Sequence, residues 1–286
     1  MTGIPRTPAT VRILTWNLWW RFGPWQDRQP AIARTIAEAA PDIVCLQEVW
    51  HDDPPAGDVD AVPLTGGQAG VLARGLGFDH RFATARRDEG AGVLFGNALL
   101  SRWPLEHVDA FTLPTDPGSL PRHSALGATV GRPGGPIPVI CTHLDWEFAA
   151  STLRQRQVET IAARAADLAG ERVTFPTVVC GDFNAVPDSD EIRALTGRRA
   201  PAAPGVVFTD AWEVAGDGPG WTVVAENPWA AQNAWPRRRI DYVLVAWPRP
   251  AKPVGNVAAA RLIGTEPVGG VVPSDHYGVL VDLYTA

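Results

Sequence analysis

Three cysteines stand in 286 residues, an odd number with no paired spacing, so no disulfide framework holds this chain together. Cys45, Cys141 and Cys180 each lie inside an apolar run, where a thiol serves as a small buried hydrophobe. No stretch is apolar for long enough to span a bilayer. The first residues, MTGIPRTPATVRILTW, lack a charged segment followed by an apolar one, so no secretory signal is visible and a reducing cytoplasm is the expected location. Positive charge is also scarce. A formal net charge of -6 argues against a broad clamp on nucleic acid, which needs clustered lysine and arginine to neutralise many phosphates. The clearest basic spot is Arg237, Arg238 and Arg239, which is equally an ordinary solvated turn. No break in composition marks a linker. The Pro- and Gly-rich stretches 52–67 and 198–205 read as surface loops, and one domain is expected over 1–286, its core running from about residue 11 to 284.

What the chain does have is 45% hydrophobic residues, the composition of a soluble globular protein with a sizeable core. One pattern recurs. A short apolar or β-branched run meets a polar residue that is costly to bury without a partner. VRILTWN ends at Asn17, DIVCLQE at Glu48, IPVICTH at His143 and TVVCGDFN at Asp182 and Asn184, while RRRIDYVLV carries Asp241 at its start. Apolar runs of this length suit strands buried on both faces beneath helices. Helices are expected over 26–40, stopped by Pro41, over 151–170, with Ser151 as N-cap and Gly170 as the stop, and around 188–196. The segments 92–103 and 124–131 read as successive antiparallel members of a sheet. Each half of the chain offers a strand ending in an acid or amide, then a helix, then more strands. The expected fold is therefore an α/β four-layer sandwich, two stacked, mostly antiparallel mixed sheets flanked by helices.

If those strands lie side by side, Asn17, Glu48, Asp182, Asn184, Asp241, Asp275, His143 and His276 converge on one rim. Each has a bland use alone, as a turn former, a solvated acid or a satisfied core histidine. Together they form a donor set of carboxylate, amide and imidazole without thiolate, which suits a hard cation, Mg²⁺ or Mn²⁺, completed by a substrate phosphate. A histidine beside an acid, as in SDH, suits proton transfer near neutral pH if a second carboxylate fixes its tautomer.

The ordered motifs TWNLW, LQEV, THLD, GDFNA, RIDYVLV and SDHYGVLV resemble those of the endonuclease/exonuclease/phosphatase superfamily, and the resemblance covers nearly the whole chain. It implies a metal-dependent hydrolase of phosphate esters. Glu48 would be the principal Mg²⁺ ligand, with Asn17 beside it and Asp275 near that ion or a second one. Asp182 would orient or deprotonate the attacking water, and Asn184 would bind the phosphate. His276, held by Asp241, would stabilise the transition state, and His143 would donate to a phosphate oxygen or assist the leaving group. Arg122 and Asn97 are candidate substrate contacts, each with a structural alternative. His51, His80, His107 and His123 carry no motif context and are assigned no role.

The substrate expected is a small phosphodiester or phosphomonoester. Nucleic acid is disfavoured by the acidic balance. A sphingomyelinase-like lipid substrate is disfavoured because segment 261–272 is too short and too poor in aromatics for a membrane-inserting hairpin. A scaffold that kept its shape and lost its chemistry is a further alternative, opposed by the completeness of the site residues. Twelve tryptophans are many for this length, and Trp19, Trp20, Trp25, Trp50 and Trp146 follow strand ends that border the expected site. Such rims stack bases or meet lipid headgroups, although tryptophan also fills cores. The loop 225–239 pairs aromatics with arginines just ahead of Asp241 and is the candidate for substrate selection.

Overall fold

The structure, a computed structural model, describes residues 9–52, 66–88, 92–120, 122–170, 175–231, 235–247 and 253–285, together with residues 4 and 7. In chain order the elements are β1 (Thr10–Asn17), α1 (Trp25–Ala39), β2 (Ile43–Asp52), α2 (Gly67–Leu76), β3 (Asp79–Asp88), β4 (Val93–Ser101), β5 (Leu105–Thr112), β6 (Ser124–Val130) and β7 (Ile137–His143). Then follow α3 (Ser151–Ala169), β8 (Val178–Asp182), α4 (Asp190–Leu195), β9 (Val207–Asp210), α5 (Ala211–Ala215), β10 (Asp241–Trp247), β11 (Val257–Ile263) and β12 (Gly278–Tyr284). They make two six-stranded sheets, ordered β11-β12-β1-β2-β4-β3 and β5-β6-β7-β8-β10-β9.

Each sheet is built around one parallel pair, β1 with β2 and β7 with β8, and every other ladder is antiparallel. A parallel pair needs a crossover, which α1 and α3 supply. Side chains alternate between the two faces of a strand, so both faces must be covered. Ile13 of β1 and Val178 and Cys180 of β8 fill the layer between the sheets. Leu14 and Trp16 point the other way and pack with Ile32, Ile36 and Ala39 of α1. Val179 packs outward with Val158, Ile161 and Ala165 of α3. The result is the four-layer α/β sandwich, and each large side chain buried in it contributes roughly 1.5–3 kcal/mol. The three cysteines are free and buried in the layer between the sheets, where burial pushes the Cys45 thiol well above its ordinary pKa.

Several local expectations meet the structure directly. Helix α1 ends at Ala40, which turns left-handed at φ 48°, and Pro41 then blocks continuation. Helix α3 stops at Gly170 with φ 64°. Its N-cap, however, is Ala150, because the Ser151 hydroxyl is spent elsewhere, donating to Glu191 Oε2 at 2.8 Å and tying α3 to α4. Segments 92–103 and 124–131 do form strands, β4 and β6, each antiparallel to its neighbours, but they belong to different sheets and are not adjacent members of one. The chain changes sheets after β4: β5 opens the second sheet and pairs β6 at its edge, while β4 pairs β2 and β3. Residues 53–65 of the expected loop 52–67 lie outside the described residues, and Gly67 already begins α2.

The topology also fixes where the polar strand ends meet. Strands β1, β2, β7 and β8 run the same way within their parallel pairs and finish at one edge, whereas β12 runs antiparallel to β1 and β10 antiparallel to β8, so both begin there. In register, His143 faces Asp182 and Asp182 faces Asp241. The close spacing of β7 and β8 depends on Gly181, since a Cβ placed there would lie 2.0 Å from the Thr142 carbonyl oxygen. Gly181→Ala is expected to lose about 3 kcal/mol or more in urea unfolding, because backbone on both sides must shift. Gly75→Ala on α2, where nothing lies within 4 Å of the added methyl, serves as the control and is expected to be neutral or stabilising.

Candidate active site

At that shared edge lies a cavity of about 350 Å³. Its floor is built from strand ends that the apolar runs deliver. Asn17 closes β1, and its side-chain amide donates to Glu48 Oε1 at 3.2 Å and to Asp182 Oδ2 at 3.0 Å. The amide oxygen is held by the Trp19 N–H at 2.9 Å, which fixes the orientation. Glu48 is aimed by an irregularity in the β2–β4 ladder between Leu46 and Val49. It sits there at φ 53°, a left-handed backbone that costs a non-glycine residue on the order of 1–2 kcal/mol. Asn184, just past β8, is strained in the same way at φ 50°. Its N–H donates to Asp182 Oδ1 at 2.9 Å, and its side-chain nitrogen lies 3.1 Å from His143 Nε2 and 3.0 Å from the Leu144 carbonyl.

Asp182 is the hub. His143 Nε2 lies 3.5 Å and His276 Nε2 3.8 Å from its Oδ2. Behind His276, Asp241 Oδ2 accepts from Nδ1 at 2.9 Å. Asp182, Asp241 and His276 bring three ligand atoms within 4.8 Å of one another. The ladder explains the arrangement, since Asp241 and Asp182 are register partners and His276 leads into β12 alongside them.

Charge is out of balance here. Glu48 has its pKa raised to about 7 by burial and by Asp275. Burial also raises Asp275, and it lifts Asp241 to about 6. His276 moves the other way. Burial lowers its pKa, but Asp241, Asp275 and Asp182 outweigh that and keep the imidazole cationic well above its ordinary range. His143, buried with His123 and His276 nearby, is pushed down to about 4 and is neutral. Glu48, Asp182, Asp241 and Asp275 thus crowd about one imidazolium, with the Arg28 guanidinium acting on Asp275 and Glu48, so the acids outnumber the cations facing them. Glu48 Oε2 is buried without a hydrogen-bond partner. Asp241 Oδ1 is likewise unpartnered, but of the two acids only Glu48 lines the cavity, together with Asp275, so Glu48 and Asp275 are the oxygen donors open to a divalent cation. The donor set fits a hard ion.

Other expected residues are placed differently. Arg122 lines the cavity. Asn97 is buried in β4 and donates to the Ser124 carbonyl at 2.8 Å, linking the two sheets. Trp19 and Trp146 line the cavity. Trp20 is packed with Val93 and Phe95, and Trp25 and Trp50 hold the Arg21 guanidinium at 4.7 and 4.5 Å. The arginine triplet is not an open basic patch. Arg237 pairs with Glu226, Arg239 is buried against Asp210 at 2.6 Å, and Arg238 donates to the Asn184 carbonyl at 3.0 Å. Trp235 of the same loop does line the cavity, and residues 232–234 lie outside the described residues.

Two features went unread in the sequence. Arg28 is fully buried in α1 and donates to the carbonyls of Leu18, Trp19, Trp20, Phe22 and Pro273. Its position four residues before Ile32 and eight before Ile36, on the buried stripe of the helix, was the available signal. His123, also cavity-lining, lies 3.4 Å from Asp145 Oδ2. Nothing in its local sequence marks that pairing.

Carboxylates and imidazoles gathered where two stacked sheets share an edge define a member of the α/β-sandwich hydrolases of phosphate esters. The chain belongs to the Endonuclease/Exonuclease/phosphatase family, whose model matches residues 14–276. It is 25% identical over 231 residues to Protein angel of Drosophila melanogaster, covering 78% of this chain and 59% of that one. To Uncharacterized protein YbhP of Escherichia coli (strain K12) it is 32% identical over 182 residues, covering 61% of this chain and 67% of the other. The chain thus spans less than two thirds of the Drosophila protein, and 30% of the human angel homolog 2 that it also matches. Among solved structures, the endonuclease/exonuclease/phosphatase from Beutenbergia cavernae aligns with a TM-score of 0.70 at 25% identity, covering 96% of this chain and 72% of that one. D. rerio TDP2 complexed with single strand DNA product aligns at 0.71 and 19% identity, covering 96% and 98%, and shares the fold.

The raised pKa of Glu48 has a consequence for stability without metal. The folded protein binds that proton more tightly than the unfolded chain, so stability falls as pH rises from about 4.5 toward 7 and stays low above. In EDTA, Glu48→Gln is expected to be more stable than the wild type at pH 8, by on the order of 2 kcal/mol after screening by cavity water, and about equal at pH 5. Thermal unfolding at the two pH values reads this directly. Mg²⁺ at pH 8 is expected to raise the wild-type Tm and leave that of the variant nearly unmoved.

Proposed function

We propose that this protein is a divalent-metal-dependent phosphodiesterase, with Mg²⁺ as the ion and Mn²⁺ compatible with the same donors. The observation that carries the reading is that Glu48, whose Oε2 is buried without a hydrogen-bond partner, and Asp275 line one cavity with Asp182 and with His276, itself held by Asp241. Glu48 and Asp275 would hold the ion, and Asn17 would orient Glu48 toward it. When bound, such an ion acts as a Lewis acid on a phosphate oxygen and stabilises developing charge by several kcal/mol.

The chain's own residues account for the rest of an in-line displacement. Asp182, its Oδ1 held by the Asn184 N–H and its Oδ2 by the Asn17 amide, is positioned to orient an attacking water and take its proton. Asn184, which lines the cavity, would bind the phosphate, and its side-chain nitrogen steadies His143. His276 stays protonated, and Asp241 on Nδ1 directs its Nε2–H toward Asp182 and the charge that develops on the equatorial oxygens. His143 is neutral. It lines the cavity with Nε2 3.1 Å from the Asn184 side-chain nitrogen and 3.5 Å from Asp182, and would donate to a phosphate oxygen or a leaving group.

The lips of the cleft bear on the substrate. Trp19 stacks on Trp229 at 5.4 Å on one side, and across from it Trp146 and Trp235 line the cavity, with Phe148 packed edge-on to Trp235 at 5.7 Å. Phe22, Trp146 and Phe148 are all exposed. Aromatic faces on both lips favour a phosphodiester flanked by a planar group, such as a nucleobase, over a bare sugar phosphate.

Asp182→Ala, His276→Ala and Glu48→Ala are each expected to lower hydrolysis of bis(p-nitrophenyl) phosphate by about 10³-fold or more, equivalent to roughly 4 kcal/mol of transition-state stabilisation, while leaving the circular dichroism spectrum unchanged. EDTA is expected to abolish wild-type turnover and Mg²⁺ to restore it. Wild-type-like rates in a variant contradict the role given to that residue, and turnover indifferent to EDTA contradicts the metal.

A further inference from the structure

The phosphoesterase reading uses the acidic floor of the cavity and leaves one wall unused. Arg86, at the β-bulge of β3, and Arg122 and His123, just ahead of β6, all line that wall. The Arg86 guanidinium lies 4.5 Å over the Phe95 ring, itself part of the lining. Among the described residues neither Arg86 nor Arg122 is paired with a carboxylate, and both side chains are exposed toward the cleft. That is unusual in a chain with a net charge of -6, where the surface arginines 156, 198 and 237 each have an acidic partner.

His123 differs from its two neighbours in being 8% exposed. Its Nε2 lies 3.4 Å from Asp145 Oδ2, and its ring packs edge-to-face on His143 at 5.6 Å. Asp145 is braced in turn: Oδ1 accepts from the Glu147 N–H at 3.0 Å, and the imidazole beside it holds its carboxyl below the ordinary range against the opposing effect of burial. A line of groups therefore runs along the cavity from Asp241 through His276, Asp182 and His143 to His123 and Asp145. The reacting phosphate belongs near Asp182. The wall of Arg86, Arg122 and His123 begins one imidazole further on.

Three side chains share this wall of a partly enclosed space, and two of them are permanent cations with no paired carboxylate among the described residues, an arrangement that an anion seated among them would stabilise. We propose that Arg86, Arg122 and His123 form a second anion subsite, which binds a phosphate group adjacent to the scissile one and selects phosphate esters carrying at least two phosphates. This rests on the phosphodiesterase reading for which phosphate is cleaved, but the subsite itself binds without metal and without turnover.

The test separates the two. In EDTA, binding of a 5′-phosphorylated thymidine dinucleotide and of the same dinucleotide without the 5′-phosphate is followed by quenching of tryptophan fluorescence. A parallel pair, inositol bisphosphate against inositol monophosphate, tells a nucleotide source from a polyol source. The member with two phosphates in at least one pair is expected to bind about 10-fold tighter, which corresponds to 1.4 kcal/mol. In the Arg86→Ala/Arg122→Ala double variant, whose side chains are exposed and leave the core untouched, that ratio is expected to fall to about 1. In His123→Ala, which removes the third donor of the wall, it is expected to fall about threefold. Equal affinities within both pairs, or a ratio unchanged in the double variant, overturns the subsite. Absence of Mg²⁺-dependent hydrolysis in the wild type overturns the phosphodiesterase reading instead, and the binding ratio then decides for or against this wall independently of turnover.

Discussion

One amide ties the two sheets together at the active edge beside the His276–Asp241 bond: the Asn17 side chain sits at the end of β1 in the first sheet and donates both to Glu48 of its own sheet and to Asp182 of the other. Two carboxylates so close would repel each other across a gap that water enters. An amide with two N–H donors satisfies an oxygen on each, and the Trp19 N–H keeps it from flipping. The relative placement of the acid proposed to activate water and the acid left for a cation thus depends on a neutral residue. A carboxylate in its place would add charge to a cluster already rich in acids, and an apolar residue would leave Glu48 Oε1 and Asp182 Oδ2 without this donor.

That excess charge sets the terms for the rest of the site. Glu48 and Asn184 also hold left-handed backbones, so strain and electrostatic repulsion are stored at the same edge. Neither is tolerable in isolation. The surrounding sandwich over-determines both positions, with strands covered on each face and Gly181 admitting the β7 backbone to contact distance. Stability generated in the layers underwrites a cleft that is unfavourable until its charge is met.

Much of this was legible in the sequence because the strands are buried on both faces. An apolar run that stops at Asn17, Glu48, His143 or Asp182 marks both a strand and the depth at which solvent begins, so fold and site share one signal. The ordered motifs then name the family. What stayed hidden is what spacing along a chain does not carry. Segments 92–103 and 124–131 look alike as strands, yet only the chain's change of sheet at β5 decides that they oppose each other across the core. The Asp145 partner of His123 lies on another strand's terminal loop, and no local pattern reports such a meeting. The arginine triplet reads as a basic spot, while two of its members are drawn inward to Asp210 and the Asn184 carbonyl. Arg28 was the recoverable omission, a cation on an apolar stripe whose burial the helical period implies.

Arg28 also bears on how the cleft breathes. One guanidinium grips the turn that carries Trp19 and Phe22 and, at the same time, the Pro273 carbonyl just before Asp275 and His276. The aromatic lip and the loop behind it are thereby riveted into a single jaw, anchored in a helix that is itself seated in the core. The facing jaw is built differently, with Trp146 and Phe148 exposed and Phe148 held from outside the core, edge-on to Trp235 and beneath the Arg238 guanidinium.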